Sequence, residues 1–113
     1  MDTPLQGVLL RIFVGESDTW HGKSLHTALV EAAKRQGLAG ATVLRGVEGF
    51  GAHSRIHTAR LVDITPDLPL VIEIVDEEPK IQAFLPTVHE LVQEGLVTWE
   101  RVNVIVYRAG RGR

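Results

Sequence analysis

The sequence predicts an α+β domain of the ferredoxin-like βαββαβ sandwich type, with two helices on one face of a four-stranded antiparallel sheet. Three observations carry that expectation. Apolar residues alternate at both ends of the chain, two internal windows repeat apolar residues at spacings of three and four, and the elements follow the order strand, helix, strand, strand, helix, strand. A length of 113 residues fits one core of ordinary domain size. Residues 1–107 therefore read as a single domain, and residues 108–113, which hold three arginines, as a disordered basic tail.

Val8, Leu10, Ile12 and Val14 alternate with Leu9, Arg11 and Phe13, a strand apolar on one face and mostly apolar on the other, as a central strand must be. It ends at Gly15. Leu25, Ala28, Leu29, Ala32 and Ala33 form the buried stripe of the first helix, Ser24 or a neighbouring polar group caps its start, and Gly37 its end. Ala41–Leu44 opens a second strand that ends or bulges among Gly46, Gly49 and Gly51. A loop then leads into a third strand that starts before Val62 and runs to Val75, interrupted by Pro66 and Pro69. Asp76–Pro79 reads as a helix start, because carboxylates suit the positive end of the helix dipole and proline is tolerated in the first turn. Ile81, Phe84, Leu85, Val88, Leu91 and Val92 give this helix its stripe, Pro86 interrupts its hydrogen bonding, and Gly95 stops it. The last strand spans Val97–Tyr107, with Val102, Val104 and Val106 opposite Arg101, Asn103, Ile105 and Tyr107. Both helices cover one sheet face, so Leu9, Phe13, Ile105 and Tyr107 are expected on the other, ready for a second subunit.

The apolar fraction of 44% and charged fraction of 23% are those of a globular chain, and no apolar run is long enough for a membrane span. The start lacks a signal-peptide pattern and cysteine is absent, which points to the cytoplasm. A formal net charge of -2 argues against nucleic acid as a partner, since duplex binding leans on a basic face.

The densest functional signal is Arg45–Arg60, where three glycines in six positions adjoin three arginines and two histidines. Glycines admit a ligand close to the backbone and present N–H groups, while arginines meet negative charge, so the segment suits a phosphate-bearing small molecule. The spacing Gly46-x-x-Gly49-x-Gly51 matches neither the dinucleotide nor the P-loop pattern, and the same residues also suit a bulged strand end with solubilising arginines. His21, His53 and His57 suggest a metal site, but their spacing is unspecific and no carboxylate lies among them, so solvated loop histidines are preferred. Gly15–Lys23 mixes carboxylate, hydroxyl, histidine and lysine. Helix capping and packing of Trp20 over the sheet end account for it, with Glu16, Trp20 or Lys23 at a pocket rim as the lesser reading. No nucleophile with a base and an oxyanion hole is evident, so the chain is expected not to be an enzyme.

The runs Phe13–Asp18, Gly37–Gly51, Ser54–Thr58 and Leu68–Asp76 resemble the DUF190 family of PII-like proteins, and the resemblance extends from about Leu9 to Val106. It implies a ferredoxin-like fold, a homotrimer, and kinship with PII signalling proteins, which bind adenine nucleotides between subunits and contact partners through the loop between the second and third strands. That loop corresponds to about Ala52–Arg60. The combined expectation is a trimeric regulatory protein with no required cofactor that binds AMP, ADP or ATP in inter-subunit clefts. Arg45 and Arg55 would meet phosphate, Gly46, Gly49 and Gly51 would admit it closely, Glu48 would line the site and Phe50 would pack on the base. The resemblance further implies a membrane transporter or channel as the regulated partner. Two rivals stand beside it: a metal-binding trimer similar to CutA proteins, and an interaction protein that needs no ligand.

Overall fold

The computed structural model describes residues 1–51, 57–58 and 67–110. Its strands are β1 (Leu5–Gly15), β2 (Thr19–Trp20), β3 (Lys23–Ser24), β4 (Thr42–Arg45), β5 (Glu48–Gly49), β6 (His57–Thr58), β7 (Pro69–Asp76) and β8 (Leu96–Val104), with helices α1 (Leu25–Arg35) and α2 (Glu78–Leu91). Four strands form the main sheet in the order β4-β7-β1-β8. Every pairing in it is antiparallel, β1 meeting β7 from Val8 opposite Asp76 to Gly15 opposite Pro69, and β8 from Leu5 opposite Val104 to Phe13 opposite Leu96. The α+β fold expected from the sequence is therefore present, with the most apolar strand at the centre. The expected beginning of the third strand, around Val62 and Pro66, lies outside the described residues.

Alternation along β1 and β7 sends Val8, Leu10, Ile12 and Val14, with Leu70, Ile72 and Ile74, into one core, where Leu25, Ala28, Leu29, Ala32 and Ala33 of α1 and Ile81, Phe84, Val88 and Leu91 of α2 meet them. Phe84, Leu10, Ile12 and Ile72 are wholly inaccessible. Burying a large aliphatic or aromatic side chain stabilises by roughly 1.5–3 kcal/mol, so this layer dominates the fold. Pro86 lies inside α2, as the span of the apolar stripe predicts. Among the described residues, no helix is long and apolar enough to cross a membrane.

Local chemistry fixes the ends. Gly37 adopts φ 77°, and the N–H groups of Gly37 and Leu38 donate to the carbonyls of Lys34 and Ala33, both at 3.1 Å, which closes α1 with the paired bonds of a Schellman motif. Asp76, only 4% exposed, ends β7 and accepts the N–H of Ala39 at 2.9 Å and of Glu77 at 2.7 Å. It thus ties the sheet to the start of α2 and to the connection before β4. Gly95 has φ 148°, and a Cβ there would collide with the carbonyl oxygen of Phe13.

Three local expectations are corrected. Ser24 occupies the N-cap position of α1 without a side-chain cap bond. A β2–β3 hairpin carries Ser24 opposite Thr19, and the Leu25 N–H donates to the Asp18 carbonyl at 2.8 Å instead. The hairpin turns on His21 (φ 47°) and Gly22 (φ 82°), the doubly positive geometry that suits strand twist. The last strand ends at Val104, so Ile105 and Tyr107 leave the sheet, and the Tyr107 hydroxyl donates to the Ala39 carbonyl at 2.9 Å. Finally, β8 presents its faces in the opposite sense. Paired residues share a face, so Val102 opposite Gly7 and Val104 opposite Leu5 lie on the open side with Leu9 and Phe13, while Arg101 opposite Val8 turns to the helices and pairs with Glu78. An edge strand leaves Arg101 in water while it reaches the negative first turn of α2, which makes that orientation inexpensive.

The open face has an ionic centre. Arg11 is held by Glu73 at 3.0 Å and Glu100 at 2.6 Å, and these hydrogen bonds, Glu73 first, raise its pKa above the ordinary guanidinium value. Leu9, Phe13, Val71 and Val75 surround it, each half-buried.

Candidate functional site

The chemistry-bearing segment begins where β4 leaves the sheet. Arg45 is the last residue of β4 and lies opposite Leu70 of β7. The next residue, Gly46, donates its N–H to the Pro69 carbonyl at 2.7 Å. A Cβ at Gly46 would stand 2.8 Å from Pro69 Cγ, so a side chain cannot fit without a shift. Gly49 is nearly as confined, at 3.2 Å from the same atom, whereas among the described residues nothing lies within 4 Å of a Cβ at Gly51. Glycine is thus needed at position 46 for close approach.

Beyond Gly46 the chain departs from the main sheet. Glu48 and Gly49 form β5, which pairs with Thr58 and His57 of β6 as a separate two-stranded ribbon. The ribbon places part of Ala52–Arg60 in a strand pair where the sequence suggested a loop. Val47 and Phe50 are strongly exposed, at 74% and 68%, which is unusual for large apolar side chains and leaves both open to a ligand or a partner. Arg55 and His53 lie outside the described residues.

The loop after β1 faces the end of β4. Glu16 donates its backbone N–H to the Leu68 carbonyl at 2.8 Å and extends its carboxylate to Arg45, with Oε1 2.9 Å from the guanidinium. Asp18 accepts the Gly15 N–H at 2.9 Å, and Asp67 the Ser17 N–H, also at 2.9 Å. Among the described residues, the carboxylates of Asp18 and Asp67 thus gather at Gly15–Ser17, and that of Glu16 reaches Arg45. Asp18 and Asp67 occupy backbone N–H groups that would otherwise be open to an anion, and Glu16 occupies Arg45.

The other sequence candidates are dispersed. His21 sits in the hairpin turn and stacks on Trp20, ring centroids 4.0 Å apart. His57 is in β6, and among the described residues no group of three or more His, Asp or Glu is arranged to hold a metal ion. Lys23 pairs with Glu31 at 2.7 Å, and that hydrogen bond is the main reason the Glu31 carboxyl lies below its ordinary pKa. Trp20 lines a cleft of about 390 Å³ with His21, Leu25, Leu91 and Gln93, which shares none of the residues expected to bind nucleotide. Sequence reasoning missed the Glu16–Arg45 pair and Asp67. The Gly15-x-x-Asp18 spacing hints at a turn, but the reach of Asp67 to Ser17 crosses 50 positions and leaves no local signal.

Residues 7–104 match the model of the DUF190 family, described as an uncharacterized ACR. A UPF0166 protein of Aquifex aeolicus is 43% identical over 97 residues, covering 86% of this chain and 91% of that protein. Among solved structures, a protein of Thermus thermophilus described as PII-like and signaling superposes with a TM-score of 0.66 at 24% identity, covering 89% of this chain and 91% of that one. CPII of Thiomonas intermedia K12, bound to ADP and bicarbonate, gives a TM-score of 0.57 at 20% identity, with coverage of 88% and 89%. At these identities the structural likeness is one of fold.

Proposed function

The chain belongs to the DUF190 family, and from that premise we propose that it is a non-enzymatic PII-like regulatory protein of the cytoplasm. It works as a homotrimer that binds an adenine nucleotide in the clefts between subunits and signals through the segment between β4 and β7. The observation that carries the reading is the exit of Arg45–Gly51 from the edge of the sheet. A cation, a glycine in forced close contact with Pro69, and an exposed aromatic ring follow one another there within six residues. That sequence of groups suits a phosphate, a backbone contact and a base in turn. The PII-like fold supports it, since CPII holds ADP on the same architecture. The open sheet face, apolar around the Arg11 cluster, supports assembly of copies.

Occupancy would alter the loop only if the ligand binds one loop state better than another. Isothermal calorimetry with AMP, ADP, ATP and cyclic AMP tests the reading. Saturable binding of at least one is expected, and silence with all four at millimolar concentration overturns it. The exposure of Val47 and Phe50 favours a second reading, a protein contact independent of ligand. A pull-down insensitive to added nucleotide supports that one.

A further inference from the structure

Resting on the nucleotide reading above, we propose that Glu16 is a built-in competitor for the anion that Arg45 receives, so that binding proceeds by exchange of a carboxylate for a phosphate. The pair stands at 2.9 Å, and its two partners are anchored on consecutive carbonyls: Leu68 holds the Glu16 backbone and Pro69 holds Gly46, next to Arg45. Neither backbone is free to carry its side chain away. The loop bearing Glu16 is pinned twice more, by Asp18 on the Gly15 N–H and Asp67 on the Ser17 N–H. What remains free is rotation of the two side chains.

Their exposures set the direction of exchange. The Arg45 side chain is 56% exposed and that of Glu16 only 30%, so an incoming anion meets the guanidinium first while the carboxylate lies behind it. A carboxylate oxygen and a phosphate oxygen ask the same thing of a guanidinium, and Glu16 holds one of its terminal nitrogens. An ion pair this exposed is weak, so it delays no ligand permanently. It lowers apparent affinity and sharpens preference for ligands whose charge exceeds that of one carboxylate. A neutral nucleoside gains nothing from displacing Glu16, whereas a diphosphate does. The pair therefore makes occupancy depend on the phosphate as well as on the base.

The test is calorimetry of wild type and Glu16→Gln with ADP and with adenosine at fixed ionic strength. Glutamine keeps the shape and removes the charge at a partly exposed position, so the fold is retained. Loss of a surface ion pair's competition is expected to tighten ADP about two- to fivefold and leave adenosine unchanged. In an Arg45→Gln background the same substitution should improve ADP by less than about twofold, because little competition is left to relieve. Equal or weaker ADP binding by Glu16→Gln overturns the competitor role while leaving the nucleotide reading intact, since a weaker variant means Glu16 positions Arg45. Absence of ADP binding in both proteins overturns the competitor role, and silence with AMP, ATP and cyclic AMP as well overturns the nucleotide reading with it.

Discussion

On the helix side of the sheet, Val8, Leu10, Ile12, Ile72 and Ile74 are sealed from water, whereas one residue away on the same strands Leu9, Phe13, Val71 and Val75 are only half-buried around an Arg11–Glu73–Glu100 cluster. Both faces are written by the same alternation. The difference is that, among the described residues, two helices cover one face and none covers the other. A face with an apolar rim and a satisfied ionic centre tolerates water and leaves room for the proposed contact with another copy, whereas the helix face tolerates neither water nor vacancy. Stability is therefore concentrated on one side, and the proposed assembly falls to the other.

Breaking the helix side has the largest expected effect. Phe84→Ala removes a ring with no exposed surface from between α2 and the sheet, and should cost about 3–5 kcal/mol in urea denaturation. Gly95→Ala strikes the boundary between the faces, where φ 148° and the crowding carbonyl of Phe13 both resist a side chain, and should cost about 1–3 kcal/mol by the same measurement. On the open side, Phe13→Glu should leave the protomer folded in circular dichroism but shift it to monomer in light scattering. A persistent trimer would show that assembly uses another surface. Arg11→Met sharpens the contrast further: any effect on protomer stability should shrink at high salt, as it does for exposed ion pairs, and should not resemble a core loss.

The smallest effect belongs to neither face. Glu31 on α1 titrates below its ordinary value because Lys23 donates a hydrogen bond to it. The folded protein then takes up this proton at lower pH than the unfolded chain, so the contribution is present near neutrality and fades as pH falls through the lowered pKa. In Lys23→Met, a nuclear magnetic resonance titration of Glu31 should return toward the usual carboxylate range.

Much of the fold is legible from spacing. The five residues of the α1 stripe, Leu25, Ala28, Leu29, Ala32 and Ala33, are the five that α1 buries, and Gly37 closes the helix. Strand parity is legible too, but parity alone does not say which set meets the helices. In β8 that is decided by register against β1 and by Glu78, 23 positions from Arg101, so spacing alone puts the valines on the wrong side. The β2–β3 hairpin escapes a sequence reading because two-residue strands carry no alternation, leaving only His21-Gly22 as a turn signal. At the candidate site, the end of a strand among glycines is readable at Arg45 and Gly46. The neutralising partner is not, because Glu16 meets Arg45 across 29 positions, brought there by backbone bonds to the residues that lead into β7.

Asp76 links events far apart in the chain. One carboxylate accepts the amide protons of Ala39 and Glu77 on its two oxygens, so replacing that side chain would open both amides to water. In hydrogen exchange the two positions are expected to be protected together with the end of β7, although 37 residues separate Ala39 from the acid that shields it. Loss of the Asp76 carboxylate is therefore expected to loosen the connection before β4 and the start of α2 together.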